Sequence, residues 1–311
     1  MREIRPRGAA LMLWSTGDTV MIGANQVAMA EFDMAYVRSA GIEIVRRPSG
    51  GGAIFTDEGA LQYTVILPWG PGADAGVIAR EWLAKPAIET IAAFGAEASL
   101  EGRNDIMVGG KKVSGLAQHI QYGYICSHGS LLLSADLGKL AGTLTADAEK
   151  IKTKAISSVR ARVANISDYL PEAQDIARFR EGLIKSYAGR GAVSSHRFGR
   201  DETGRIEEIV RGKYGSDEWT FGRSPAFTFT NKKRFPGGSI EVFLEVRDGL
   251  IRDARITGDF LALHPVAGLE EQIKGVPHTP EALAEALGPL PVGSFLGTLG
   301  AGELLEVLCC E

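Results

Sequence analysis

Apolar and polar residues alternate with a period of two at 42–47, and again where Leu61, Tyr63, Val65 and Leu67 interleave with Gln62, Thr64 and Ile66. That period predicts half-buried strands. Between them PSGGGAIFTDEGA forms a glycine-rich connector. Two further strand-like runs, 104–108 and 112–120, are joined by Gly109 and Gly110, which predicts a tight hairpin. The run YICSHGSLLLSADL extends the same sheet. Helical spacing appears at Trp82, Ile88, Ile91 and Phe94, and more clearly at Ile176, Phe179, Leu183, Ile184 and Tyr187, stopped by Gly189.

Residues 190–218 turn polar and lose periodicity, which reads as a linker or an exposed domain edge. A second unit follows. SIEVFLEV and LIRDARIT flank Asp248-Gly249, a hairpin signal, and Thr279-Pro280-Glu281 opens a helix carrying Leu283 and Leu287 and closed by Gly288. GELLEVL predicts a short helix near the end. Strands and helices are therefore interleaved, without internal repeats.

Composition narrows the class. Hydrophobic residues at 45% and charged residues at 23% exclude a disordered, collagen-like or coiled-coil chain. A net charge of −4 argues against a general nucleic-acid or anionic-membrane binder, so any anion site must be local. With 39 glycines, loops defined by their backbone are expected. Cys126, Cys309 and Cys310 form no CxxC pair, which suits a reducing compartment, and no run of 18 apolar residues predicts a membrane span. The expectation is a cytoplasmic protein.

Two constellations could carry chemistry. In Arg46-Arg47-Pro48-Ser49-Gly50-Gly51-Gly52-Ala53, cations and a hydroxyl precede three residues lacking Cβ atoms, so backbone N–H groups can approach an anion closely. The alternative is a plain flexible turn. In Gly102-Arg103-Asn104-Asp105 followed by Lys111-Lys112-Val113-Ser114-Gly115, an amide, a carboxylate and an ammonium lie on two strands joined by a tight turn. Lysine is a compact donor to a phosphate or developing oxyanion, and Asp105 could hold Mg²⁺; the alternative is an exposed hairpin of solvated charges. Lys154, Ser157, Ser158, Arg160 and Arg162 form a third basic group that also reads as a solvated face. His128, inside an apolar run, reads as a packed residue, and Cys126 as a buried small hydrophobe.

The chain resembles the lipoate-protein ligases, which share a fold with octanoyltransferases and biotin ligases. RRPSGGGAIF at 46–55, GRNDIMVGGKKVSGLAQ at 102–118, HGSLLLSADL at 128–137 and KAISSVRARVANI at 154–166 carry the resemblance, in the family's order. WTFGRSPAFTF at 219–229, with RFPGGSIEVFLEV, resembles the small accessory domain of two-domain ligases. The resemblance implies an α/β (α+β) fold: mixed, largely antiparallel sheets packed with helices in a catalytic domain over 1–212, a linker over 213–224, and a small α+β accessory domain over 225–311. It implies an enzyme that uses ATP and Mg²⁺ to adenylate lipoate or octanoate and transfers the acyl group to a lysine of a lipoyl carrier domain. That carrier would be a glycine-cleavage H protein, a 2-oxo acid dehydrogenase acyltransferase subunit or a related protein.

By the same resemblance Lys112 is the central lysine, while Arg47, Ser49, Gly50, Gly51, Gly52, Ala53, Ser114, Gly115 and Ala117 border the acyl-adenylate. Asn104, Asp105 and Lys154 lie near the nucleotide, with Asp105 near the metal. Thr56-Asp57 and Gly59-Ala60 replace the family's His-Asp and Gly-Asn, and no counterpart of the family's usual helix is read before the first strand, a space expected to be filled by a partner chain or by a later segment. Two rival readings are an ATP-independent acyltransferase and a non-catalytic carrier-binding paralogue. Octanoyltransferases that use a cysteine nucleophile place it before the lysine strand, where this chain reads ASLEGRND. An eight-carbon tail buries roughly six methylenes, about 5 kcal/mol in all, so an apolar tunnel can measure its length but not readily tell a dithiolane from a plain alkyl end.

Overall fold

The alternation read between Leu61 and Leu67 becomes the second strand of a six-stranded sheet. In chain order the strands of the N-terminal part are β1 (Ala10–Trp14), β2 (Thr19–Ile22), β3 (Glu43–Arg46), β4 (Ile54–Thr56), β5 (Ala60–Pro68), β6 (Ala98–Glu101), β7 (Asp105–Val108), β8 (Lys111–Gln121) and β9 (Tyr124–Leu132). The large sheet runs β1-β5-β9-β8-β7-β6, antiparallel throughout, and a small sheet runs β3-β2-β4. These positions come from a computed structural model, which describes residues 6, 8–26, 31–102, 104–143, 161–172, 174–221, 229–247 and 249–309.

One face of the large sheet is apolar. Leu61, Tyr63 and Val65 of β5, Ile106 and Val108 of β7 and Leu131 of β9 pack with Leu83, Ile91, Phe179 and Leu183 from two helical stretches. The first stretch is helical from Ala75–Ile78 through a π turn at Ala79–Ala84 into Lys85–Ala93, and the second is the helix Ile176–Ala188. Each fully buried side chain of this size contributes about 1.5–3 kcal/mol, and a one-residue slip would turn all of them to the opposite face. That burial fixes the register. The Gly109-Gly110 turn forms as expected, with φ of 55° and 74°.

The helix Met34–Ser39 escaped the sequence reading, although its N-cap was visible: the Asp33 carboxylate accepts the Tyr36 N–H at 2.9 Å. The linker expectation for 190–218 is corrected in part. Arg200–Ile209 is an α-helix that runs into a π turn at Val210–Tyr214, and neither has a buried residue. A helix without an apolar face leaves no period in the sequence.

In the C-terminal part β10 (Phe229–Phe235), β11 (Gly238–Arg247) and β12 (Leu250–Gly258) form an antiparallel sheet. Its apolar side, with Ile240, Val242 and Ile256, packs with Leu269, Leu283 and Leu304. The helix Pro280–Leu287 starts where Thr279 accepts the Ala282 N–H and stops at Gly288, as the sequence predicts. Glu270 is buried, and its carboxylate accepts the Ile256 N–H and an Arg255 N–H, both at 3.0 Å.

Packing divides the chain into two units. One holds Met1–Met21, Phe32–Val45 and Ile54–Ser216; the other holds Ile22–Glu31, Arg46–Ala53 and Asp217–Glu311. The glycine-rich loop thus groups with residues far along the chain, whereas the sequence reading placed it by order within 1–212. Among the described residues no helix is long and apolar enough to cross a membrane.

Candidate active site

The second face of the large sheet carries the polar positions. Along β5, Gln62 and Thr64 stand opposite in parity to the apolar Leu61, Tyr63 and Val65; β9 places Ser130 beside Gln62 and His128 beside Thr64. On β8, Gly115 pairs with Ser130 and Ala117 with His128. The indole of Trp14 donates to the Thr64 hydroxyl at 3.3 Å, and Gln62 Nε2 donates to the hydroxyls of Thr56 at 2.9 Å and Ser130 at 3.3 Å. Thr56, one of the departures from the family pattern, is therefore part of this network, and Ala60, the other, is fully buried with Leu132 and Ala135. Asp57 is a clamp: its carboxylate accepts the N–H groups of Gly59 at 2.9 Å and Asp136 at 2.7 Å.

A bulge brings Lys112 to this face. Strand β7 pairs Asp105 with Gly115 and Ile106 with Ser114, then Met107 with Lys112, which leaves Val113 as an extra residue. With strict alternation Lys112 and Gly115 would point to opposite faces; the extra residue restores them to one. Lys112 Nζ then lies 2.7 Å from Asp105 Oδ1. The ammonium also lies 3.2 Å from the point where a Gly115 Cβ would stand, so the bare backbone at Gly115 gives it room. The cost of that bulge is borne by Ser114, which the sequence reading grouped with Lys112. Its side chain is buried in the parity of Ile106, on the apolar face.

Asn104 locks the start of the hairpin. Its side-chain amide donates to the Leu116 carbonyl at 2.5 Å and its own carbonyl accepts the Leu116 N–H at 2.8 Å. Asp105, Lys112, Gly115 and Ala117 thus share one face, while Asn104 fixes the strand that carries three of them. Arg103, Lys154, Ser157, Ser158 and Arg160 lie outside the described residues.

The loop Arg46–Ala53 has a separate architecture in the other unit. Arg46, 4% exposed, donates to the carbonyls of Gly23, Ala24, Gln26, Trp219 and Thr220, while the Trp219 indole donates to the Arg46 carbonyl at 3.0 Å. Arg47 donates to the Gly50 and Gly52 carbonyls at 2.8 and 2.7 Å, which curls the loop around its guanidinium. Burial pushes that guanidinium down to about 10, still charged at neutral pH. Gly51 adopts φ +88° and donates its N–H to the Phe260 carbonyl at 2.9 Å. A Cβ on Gly23 would come within 2.1 Å of the Gly51 carbonyl, and one on Gly50 within 2.6 Å of the Phe260 carbonyl. The alternative of a plain flexible turn does not fit: Gly23, Gly50 and Gly51 make close backbone approaches, and Ser49 is fully buried.

Metal fit is limited to one carboxylate. Among the described residues no three His, Cys, Asp or Glu side chains converge as a metal cluster. Asp105 alone suits a Mg²⁺ held mainly by nucleotide phosphates and water. The sequence reading missed Gln62, Thr64, His119 and Ser130; the signal was two polar residues at period two inside the apolar β5. Cys126, read as a buried hydrophobe, is on this polar face opposite His119, and burial holds its thiol up at about 11.

Comparison with known proteins follows this geometry. Residues 1–188 match the family described as the lipoyl protein ligase A/B catalytic domain, and residues 224–308 match the bacterial lipoate protein ligase C-terminus. The chain is 32% identical over 313 residues to the lipoate-protein ligase LplJ of Bacillus subtilis, covering 99% of this chain and 93% of that protein. Among solved structures it is similar to a bi-partite lipoate protein ligase of Thermoplasma acidophilum, studied with its E2 lipoyl domain, at TM-score 0.64 and 27% identity over 71% of this chain and 87% of that one. A lipoate-protein ligase A bound with ATP matches at TM-score 0.60 and 26% identity, covering 69% of this chain and 86% of that chain.

Proposed function

The chain belongs to the lipoyl protein ligase A/B family, and from that premise we propose that it adenylates lipoate with ATP and transfers the lipoyl group to a lysine on a lipoyl carrier domain. The observation that carries this reading is Lys112, an ammonium set over a side-chain-free Gly115 on the polar face of the sheet. Similarity to a ligase bound with ATP and to one studied with its E2 lipoyl domain supports the nucleotide and the acceptor. The cysteine pattern, without a CxxC pair, supports the reading of a cytoplasmic reaction.

A carboxylate and an ε-amine do not condense unaided in water. Joining the carboxylate to AMP makes the carbonyl carbon attackable, with pyrophosphate leaving. Bringing the carboxylate to a triphosphate opposes like charges, and Lys112, Arg47 and Lys154 offset that repulsion. Arg47 and Lys154 have this role from the resemblance alone. Mg²⁺, carried with ATP and held in part by Asp105, would screen phosphate charge. By resemblance the loop from Arg46 to Ala53 borders the phosphate of the adenylate, in the shape that Arg47 maintains, with Ser49, Gly50, Gly51, Gly52 and Ala53 as its rim. Asn104 borders the nucleotide by holding Asp105 and β8 in place. Gly115 and Ala117 line the acyl group, and Ser114 serves it through the backbone.

In the second step the acceptor amine attacks the activated carbonyl. Negative charge develops on the carbonyl oxygen and is met by the Lys112 ammonium; AMP departs with the bonding pair. Gly115→Val would place a branched side chain against Lys112 Cε and Nζ and is expected to lower kcat/KM by about tenfold or more, read by steady-state ligation.

Mass spectrometry of a purified lipoyl domain incubated with the protein, ATP, Mg²⁺ and lipoate is the direct test. The expected result is one added lipoyl group with lipoate-dependent pyrophosphate release. Transfer from an acylated carrier without ATP would replace this reading with acyl exchange, and no transfer under either condition would leave a carrier-binding paralogue.

A further inference from the structure

The polar face of the large sheet continues beyond Ala117 to a pair of groups that the chemistry above does not use. On β8 the side chains facing that way after Lys112 are Gly115, Ala117 and His119, and β9 sets Cys126 directly beside His119. Gly115 and Ala117 add almost no bulk to this face, a line of small residues between Lys112 and His119 that would leave a trough for a thin chain. Strand rise puts His119 about 13 Å from Gly115. An eight-carbon acyl chain with its carbonyl at Lys112 reaches about 9 Å, from bonds near 1.5 Å in zigzag, and a van der Waals contact completes the span. By length, the tail of such a chain would end at His119.

His119 is unusual for a buried polar residue. It is 9% exposed, and its Nδ1 has no hydrogen-bond partner among the described residues. Buried polar groups normally find one, and an unmet imidazole nitrogen facing a trough is a place for a ligand atom. We propose that His119, with Cys126 beside it, is the subsite that recognises the sulfur-bearing tail of lipoate and makes the protein favour it over a plain alkyl acid of the same length. This deepens the ligase reading and rests on it.

The chemistry of the pair fits a neutral, polarisable tail. Burial pushes the imidazole down to about 4, so it is uncharged at neutral pH, and a neutral imidazole can offer either an N–H or a lone pair at Nδ1. A dithiolane sulfur is a weak acceptor for the first, and the thiol of the reduced form a weak donor for the second. Octanoate has neither, and leaves Nδ1 unmet. Cys126 adds a soft sulfur contact, and its suppressed ionisation keeps it from attacking the dithiolane. The phenol of Tyr214 lies near enough to Cys126 and Tyr122 for their charges to interact, and burial together with those neighbours pushes its ionisation to higher pH. The distance along the strand measures length; the imidazole at its end reads chemistry.

The test compares kcat/KM for lipoate and octanoate in full-length protein carrying His119→Leu or His119→Gln, with ATP, Mg²⁺ and a purified lipoyl domain. The expected result is that His119→Leu lowers the lipoate-to-octanoate ratio by about tenfold, because the removed group served only one of the two tails, and that His119→Gln restores part of it. An unchanged ratio in His119→Leu, or an equal fall for both acids that Gln does not rescue, overturns the subsite. Failure of the unaltered protein to ligate either acid would instead overturn the ligase reading, and the subsite with it.

Discussion

Lys112→Ala lowers ligation kcat by about 10²–10³-fold, the loss expected when one donor to a developing oxyanion is removed. The fall appears in both half-reactions, lipoate-dependent pyrophosphate release and transfer from preformed adenylate, because one ammonium serves the carbonyl in each. Lys112→Arg does not restore the rate. A planar fork cannot replace a compact ammonium that fits between Asp105 and the bare Gly115 backbone. The fold survives the change: the Lys112 and Asp105 side chains are 39% and 34% exposed, and an ion pair of that exposure contributes about 1 kcal/mol or less. Thermal melts should move by no more than about 3 °C. Full activity in Lys112→Ala would remove the lysine from the mechanism.

Arg46→Leu has its largest effect on stability. The guanidinium gathers five carbonyl oxygens, and leucine leaves all of them buried without that donor. The expected loss is about 3–5 kcal/mol, a lowering of Tm by about 5–8 °C followed by circular dichroism. Arg46→Lys recovers little, since an ammonium has three donors and no fork. A melt within about 2 °C of the unaltered protein would mean the carbonyls find water instead. Arg46 and Arg47 are neighbours of like charge in the sequence, yet the structure gives them different tasks: one joins distant segments, the other curls the loop.

Sheets and helices that bury one face were legible because burial leaves a period. The alternation of β5, the glycine turn before β8, and the Thr279 to Gly288 helix all follow from it. The helix Arg200–Ile209 was not, since it buries nothing. Which of the candidate residues share a face was not legible. Lys112 and Gly115 are three apart, a spacing that strict alternation sends to opposite faces, and only the extra residue Val113 reunites them. Spacing alone likewise misdirects Ser114. His119 gave no signal because a single histidine in a strand reads as packed; its meaning lies in Nδ1 meeting nothing. Arg47 was recognised as an anion-loop residue, but its bonds to the loop's own carbonyls depend on a left-handed Gly51 that only coordinates reveal.

The hydrogen bond from Gly51 to Phe260 spans about 200 residues of chain. At a ribosome adding about 5–20 residues per second, the glycine loop is made some 10–40 s before its fastening partner. During that interval the nascent polypeptide carries the glycine loop without the carbonyl that fastens it. A product terminated before residue 260 therefore holds the loop's sequence but not the contact that sets its shape.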